Sequence, residues 1–256
     1  MARSLVLVTI PASHYCEKAR WALDRAGIDY REEGHVPFFS RFATWRRGEA
    51  SSVPVLLTSE GVVRDSTEIL HWADLHLPVA ARLFPAEPEL LRDVEEWEEL
   101  CDVELGPHTR RLAYGYLLTE RALATEVVTA GVGSALERGC VRVGYSMLAR
   151  TMRRGMKIDD AGMERSRARV RALFAAVGER LADGRRALAG ERFTAADLAF
   201  ASLAAPVLLP PEYGARLPEL AEVDGAMREF AEELRAHAAG RFALSMYREQ
   251  RRARAG

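Results

Sequence analysis

The period of the hydrophobic pattern changes near residue 80, and that change limits the chain to a two-part architecture. Before it, short β-branched runs alternate with helical stretches. Leu5 to Ile10 (LVLVTI) suits a short strand buried on both faces, and Pro11 stops it. From Tyr15 to Ala26, the apolar positions Ala19, Ala22 and Leu23 recur at helical spacing, with Gly27 placed to end the helix. Ile28 to Val36 gives a second strand, so the opening segment reads as a parallel βαβ unit. A loop-like stretch, Pro37 to Ser52, carries Arg41, Arg46 and Arg47 and leaves only a weak signal for a second helix. Val53 to Leu57 and Gly61 to Arg64 read as a hairpin, and Asp65 or Ser66 can cap a helix over Thr67 to Leu77. The expected order is β-α-β-α-β-β-α.

Pro78, Pro85 and Pro88 punctuate a linker over 78–88, which divides the chain into domains of residues 1–79 and 88–256. Beyond it only helical periodicity remains. Helices are expected from Glu89 to about Leu118, from Glu120 to Gly155 in two pieces, and from Asp160 to Asp183. Two more follow at Thr194 to Leu209 and Leu217 to Ala239, and a charged, frayed tail near Arg248 to Arg254 closes the chain. No window approaches the ~20 apolar residues of a membrane span. The first ten residues lack a secretory pattern. A net charge of −1 over 256 residues gives no bulk field for nucleic acid or an anionic membrane, so neither is an expected partner. Cys16, Cys101 and Cys140 form neither a disulfide framework nor a metal cluster, consistent with a reducing, cytoplasmic setting.

Three local patterns carry chemistry. Ser13-His14-Tyr15-Cys16-Glu17-Lys18-Ala19-Arg20 falls where the first strand meets the first helix. Val53-Pro54 begins the third strand, and Asp65-Ser66-Thr67-Glu68-Ile69 begins the next helix. Helix N-termini present free N–H groups and about half a positive charge, so both starts suit an anion. Capping alone also accounts for Ser13, Asp65 and Ser66. Together the three patterns resemble the glutathione S-transferase family, whose serine-type members carry S-P-[FY]-x-x-[KR]-x-R at the first position. In the second half, Phe193-Thr194-Ala195-Ala196-Asp197 is similar to the capping box before that family's central buried helix.

The resemblance implies an α/β thioredoxin-like N-terminal domain plus an all-α C-terminal helical-bundle domain that lines a second-substrate site. It implies glutathione as co-substrate, no metal, a small electrophilic substrate, a homodimer and a detoxifying role. Ser13 would donate to the glutathione sulfur and stabilise its thiolate. Val53, before a cis Pro54, would pair with the cysteinyl backbone. Asp65 and Ser66 would hold the γ-glutamyl end.

The sequence departs from the family pattern at His14, which replaces the usual proline and reads either as a titrating neighbour of the sulfur or as an exposed helix-start residue. Cys16 reads as a buried helix residue or as a lone redox thiol. Arg46 or Arg47 could clamp the glycyl carboxylate, or belong to a solvated face. Cys101, Glu104, His108 and Arg111 share a helical face, and Gly106-Pro107 should kink that helix. With Tyr114, and with His14 and Tyr15 opposite, Glu104, His108 and Arg111 become candidate walls of a polar second-substrate site. Glu104–His108 has metal-ligand spacing but lacks a third ligand. The leading function is a glutathione transferase. The alternatives are a non-catalytic binding or scaffold protein of the same fold, and a glutaredoxin-like reductase using Cys16.

Overall fold

The computed structural model describes residues 5–46, 52–223 and 225–254. The β-branched run LVLVT forms β1 (Leu5–Thr9), with Leu7 and Val8 fully buried. It pairs in parallel with β2 (Tyr30–Gly34) and antiparallel with β3 (Val55–Leu57). The β3 strand continues by a hairpin into β4 (Val62–Arg64), giving the sheet order β2-β1-β3-β4. Leu7 lies opposite Glu32 on one side and Leu56 on the other. Helix α1 (His14–Arg25) ends at Gly27, whose φ of +66° is open to a residue without a Cβ. The segment 37–52 does contain a helix, the short α2 (Phe39–Trp45). Asp65 caps α3 (Ser66–Asp74) by accepting from the Thr67 and Glu68 amides, both at 2.9 Å. This is a thioredoxin-like sheet with its helices, and α1 packs against α3.

The remainder is helical. α4 (Pro88–Leu100) runs into α5 (Gly106–Leu117) through a π-helical turn, Cys101–Leu105. The expected break at Gly106-Pro107 thus takes the form of one wide turn. Pro107 lacks the N–H that would reach back into it, leaving carbonyls for other donors. α6 (Arg121–Thr129), α7 (Ala135–Gly155) and α8 (Asp160–Arg180) follow. α9 (Ala195–Leu208) is buried along its whole length, and α1, α4, α5, α10 and α11 all pack on it. Its start is the Thr194/Asp197 capping box. Asp197 accepts from the Thr194 amide and hydroxyl at 2.7 and 2.9 Å, and from the Leu188 amide at 2.7 Å.

The C-terminal reading needs correction. A helix over Leu217 to Ala239 is not formed. A 3₁₀ turn at Leu220–Glu222 precedes α10 (Gly225–Ala236), and a separate α11 spans Ala238–Gln250. Nor is the tail frayed at Arg251, which is buried and bonded to Glu17 and Asp24 at 2.7 Å each. Trp21 stacks on Phe193 and lies 4.8 Å from the Tyr247 ring, so α11 is bolted to α1 by aromatic and ionic contacts. Within the apparent basic run, Arg251 is paired with acids more than two hundred residues away. Among the described residues no helix is long and apolar enough to cross a membrane.

Candidate functional site

A cavity of about 550 Å³ opens between the start of α1 and the helices of the second half. Ser13, His14 and Tyr15 line it from α1, and Pro37, Phe38 and Arg41 from around α2. Val53 contributes from the strand edge, where the Val53–Pro54 peptide is cis as expected. Arg110, Ala113, Tyr114 and Leu117 form one continuous wall on α5. The interior beyond is apolar: Val127 of α6, Met152 of α7, then Leu209, Leu217 and Met227. One side is closed by the α6–α7 pair, which is held to the sheet domain through Glu137. That carboxylate accepts from the Val36 amide at 3.0 Å and meets His35 Nδ1 at 2.8 Å.

Ser13 is the N-cap residue of α1, yet its side chain makes no capping bond. Its hydroxyl lies beside Cys16. Burial pushes the Cys16 thiol up to about 11, against the lowering influence of Arg20, the Ile10 backbone and that hydroxyl. A neutral thiol is a weak acceptor, so an anionic sulfur reaching the helix N-terminus would accept the Ser13 hydroxyl's hydrogen bond in preference.

His14 is 2% exposed, which excludes the solvent-facing reading. Its Nε2–H donates to the Gly106 carbonyl at 2.9 Å. Burial, then the charge of Arg110, lower its pKa to about 3 despite the Gly106 bond, so the ring is neutral at physiological pH. In the unfolded chain the ring ionises near its ordinary value of 6.5, so between about pH 3 and 6.5 the unfolded state binds the extra proton. This contribution to stability is complete above about pH 6.5 and is lost as the pH falls through that window. Denaturant melts of a His14→Gln variant should therefore show a shallower loss of stability from pH 6.5 to 4 than the parent. Equal slopes would refute the assignment.

The Tyr15 hydroxyl donates to the Asp102 carbonyl at 2.8 Å, inside the π turn. Its phenol is raised by burial first and by Asp102 next. Gly106 has to be glycine here, because a Cβ would overlap the Tyr15 hydroxyl. His14 and Tyr15 therefore line the cavity while their polar atoms knit the two halves together.

The polar wall expected from α5 is a misreading. Glu104, His108 and Arg111 do share a face, but it looks at α8 and the turn before it. Glu104 pairs with Arg169 at 3.0 Å, and His108 Nδ1 meets Ser166 Oγ at 2.9 Å. Arg111 donates to Ser166 Oγ and to the Met156 carbonyl, both at 2.7 Å. Tyr114 alone of those four α5 candidates lines the cavity. The helical side of the cavity is mostly apolar, with Arg110 as its cation. That arginine stands three, four and seven residues before Ala113, Tyr114 and Leu117, a helical stripe that the sequence carried unread.

Pro54, Asp65 and Ser66 do not line the cavity. Pro54 and Ser66 are buried, and Asp65 is an exposed cap. Asp65 (φ +50°) and Phe38 (φ +74°) both occupy the left-handed region that non-glycine residues seldom adopt. Such outliers are concentrated at ligand sites and switch regions. Arg41 lines the cavity; Arg46 lies over the Phe42 ring at 5.6 Å, and Arg47 falls outside the described residues. Among the described residues no group of three or more His, Cys, Asp or Glu side chains could hold a metal ion.

Residues 7–78 match the family described as glutathione S-transferase, N-terminal domain. The fold is that of solved glutathione transferases over nearly the whole chain. A glutathione S-transferase from Methylobacterium radiotolerans, in complex with glutathione sulfonate, is 21% identical, with 94% of each chain covered and a TM-score of 0.54. One from Methylobacillus flagellatus with glutathione bound is 17% identical over 94% of this chain and 98% of that one, with a TM-score of 0.54. The β-etherase LigF from Sphingobium sp. is 16% identical over 94% and 99%, with a TM-score of 0.60. A search of curated protein sequences found no match. Residues 7–78 are thus similar to the glutathione S-transferase N-terminal domain, and the chain shares the fold of solved glutathione transferases over nearly its whole length.

Proposed function

We propose that this protein is a glutathione transferase. It would bind glutathione against the α1 N-terminus, hold its sulfur as a thiolate through Ser13, and present it to a small electrophile in the apolar half of the cavity. The observation that carries this reading is Ser13 itself: it opens α1, lines the cavity, and has a hydroxyl not committed to capping. The helix N-terminus lowers the pKa of a bound thiol and the hydroxyl adds a charge-assisted hydrogen bond. The thiol proton departs to solvent. The thiolate electron pair then forms a C–S bond with the electrophilic carbon, displacing a leaving group or adding across an activated double bond.

Val53, which lines the cavity before the cis Pro54, is assigned to the cysteinyl segment, and Asp65, Ser66 and the α3 N-terminus to the γ-glutamyl end. Arg41 joins Arg46 and Arg47 as a candidate for the glycyl carboxylate, since it lines the cavity whereas Arg46 lies over the Phe42 ring. A homodimer and a cytoplasmic, detoxifying role belong to the same proposal, on family resemblance alone. A reductase working through Cys16 is disfavoured, because a fully buried thiol raised to about 11 is not a nucleophile at neutral pH. Conjugation is favoured over a non-catalytic scaffold by the uncommitted Ser13 hydroxyl, although the fold alone decides neither.

Calorimetric titration with glutathione, with thiolate absorbance followed across pH, tests the reading. Binding with a sulfur pKa well below that of the free tripeptide is the expected result. Binding with an unshifted pKa would make the protein a carrier, and no binding at millimolar glutathione would overturn the assignment of the site.

A further inference from the structure

The cavity has a charge pattern that thiol activation by Ser13 does not use. Two arginines, Arg41 and Arg110, line it, and among the described residues no aspartate or glutamate does so. Several arginines of the second half are paired: Arg169 with Glu104, Arg171 with Glu233, Arg180 with Asp93, Arg216 with Glu126 and Glu222. Among the described residues no carboxylate pairs with Arg110. Its charge acts on His14 and Tyr15 at the start of α1 and on Tyr114 one turn along α5. The guanidinium therefore stands on the Ser13 side of the cavity. Leu117, two turns further along α5, marks the greasy side about 10 Å away at 1.5 Å per residue.

A cation facing an apolar chamber without a counter-ion is suited to a ligand that brings its own anion. We infer that the second substrate is an elongated, largely apolar electrophile carrying a carboxylate or similar acidic group close to its reacting carbon, and that Arg110 reads this group. The inference rests on the transferase reading for the identity of the reaction, and on the cavity alone for the anion site. Arg110 fixes the acidic end beside the sulfur. Leu117, Val127, Leu209 and Met227 accept the apolar body. Arg41, on the opposite, α2 side, is left for glutathione.

The test uses two matched electrophiles, 2-chloro-5-nitrobenzoate, whose carboxylate adjoins the reacting carbon, and the uncharged 2-chloro-5-nitrobenzamide, in glutathione conjugation by wild type, Arg110→Gln and Arg110→Lys. The wild type should favour the benzoate in kcat/KM. Arg110→Gln should reduce the benzoate-to-amide ratio by about 10- to 100-fold, the value of one charge-assisted hydrogen bond. Arg110→Lys should restore part of it. Equal rates for the two electrophiles in the wild type, each taken relative to its uncatalysed reaction with glutathione, or a ratio unmoved by Arg110→Gln, would overturn the proposal. A rise in the pKa of bound glutathione sulfur with the ratio intact would assign Arg110 to the thiol and overturn it as well. Calorimetry with unreactive 3-nitrobenzoate and 3-nitrobenzamide separates the two readings. If neither chloro compound turns over but the benzoate binds about tenfold tighter through Arg110, the transferase reading fails and the anion site stands.

Discussion

Ser13→Ala is expected to lower kcat/KM for conjugation by about 10- to 1000-fold, the range for removing one preorganised donor from a resident or developing anion. Two readouts should move together. The pKa of the bound glutathione sulfur should climb back toward its free value, because the hydroxyl that favoured the anion is gone. Glutathione affinity should change little at a pH where the sulfur is protonated, since a neutral thiol gains little from that donor. Cys16→Ser is the informative partner variant. Cys16, in the first turn of α1, is fully buried and protonated at neutral pH, so its replacement should leave the sulfur pKa in place. If Ser13→Ala turned over as well as the parent, or if Cys16→Ser abolished activity while Ser13→Ala did not, the thiol-activating role would pass from Ser13 to Cys16.

Local chemistry made the first domain legible. LVLVT read as a buried strand, Asp65 as a cap, and Val53-Pro54 as leading a strand that begins two residues later at Val55, because each depends on a few adjacent residues. The Thr194/Asp197 box marked α9 for the same reason. Phase information was legible too: Glu104, His108 and Arg111 do share a face. Periodicity says which residues point together; it does not say toward what. On α5 the face with more polar groups turned out to bind α8, while the cavity took the stripe running from Arg110 to Leu117.

The deep wall was illegible for another reason. Val127, Met152, Leu209 and Met227 come from separate segments and look in sequence like ordinary core residues. The second helix was faint because α2 is only seven residues long, and Phe42 and Trp45 leave its outer side apolar rather than polar. Arg251 was misread because a basic tail and a buried ion pair have the same local sequence. Glu17, its partner, is 234 positions away.

The largest effect on stability is expected at Lys18. Its ammonium is completely buried and bonded to Glu98, to Asp102 at 2.6 Å and to the Thr67 hydroxyl at 3.0 Å. Thr67 in turn donates toward Glu98 and Asp102 at 2.8 and 3.0 Å, so a single cation joins α1, the start of α3 and the α4–π junction. Two carboxylates share that one charge. Burial raises the Asp102 pKa, and Lys18 is the main opposing influence. Lys18→Met keeps the volume of the stem but strands both acids, and breaking a buried pair in this way costs about 3–5 kcal/mol. At roughly 2–4 °C per kcal/mol for a chain of this size, the melting midpoint should fall by about 10 °C. Adding Glu98→Gln and Asp102→Asn to Lys18→Met should recover much of the loss, because the penalty lies in the uncompensated charges more than in the missing bonds. A Lys18→Met midpoint within about 2 °C of the parent would show that water or protonation neutralises the acids. A triple variant no better than the single one would show that the bonds themselves, rather than the charges, hold α1 to α4.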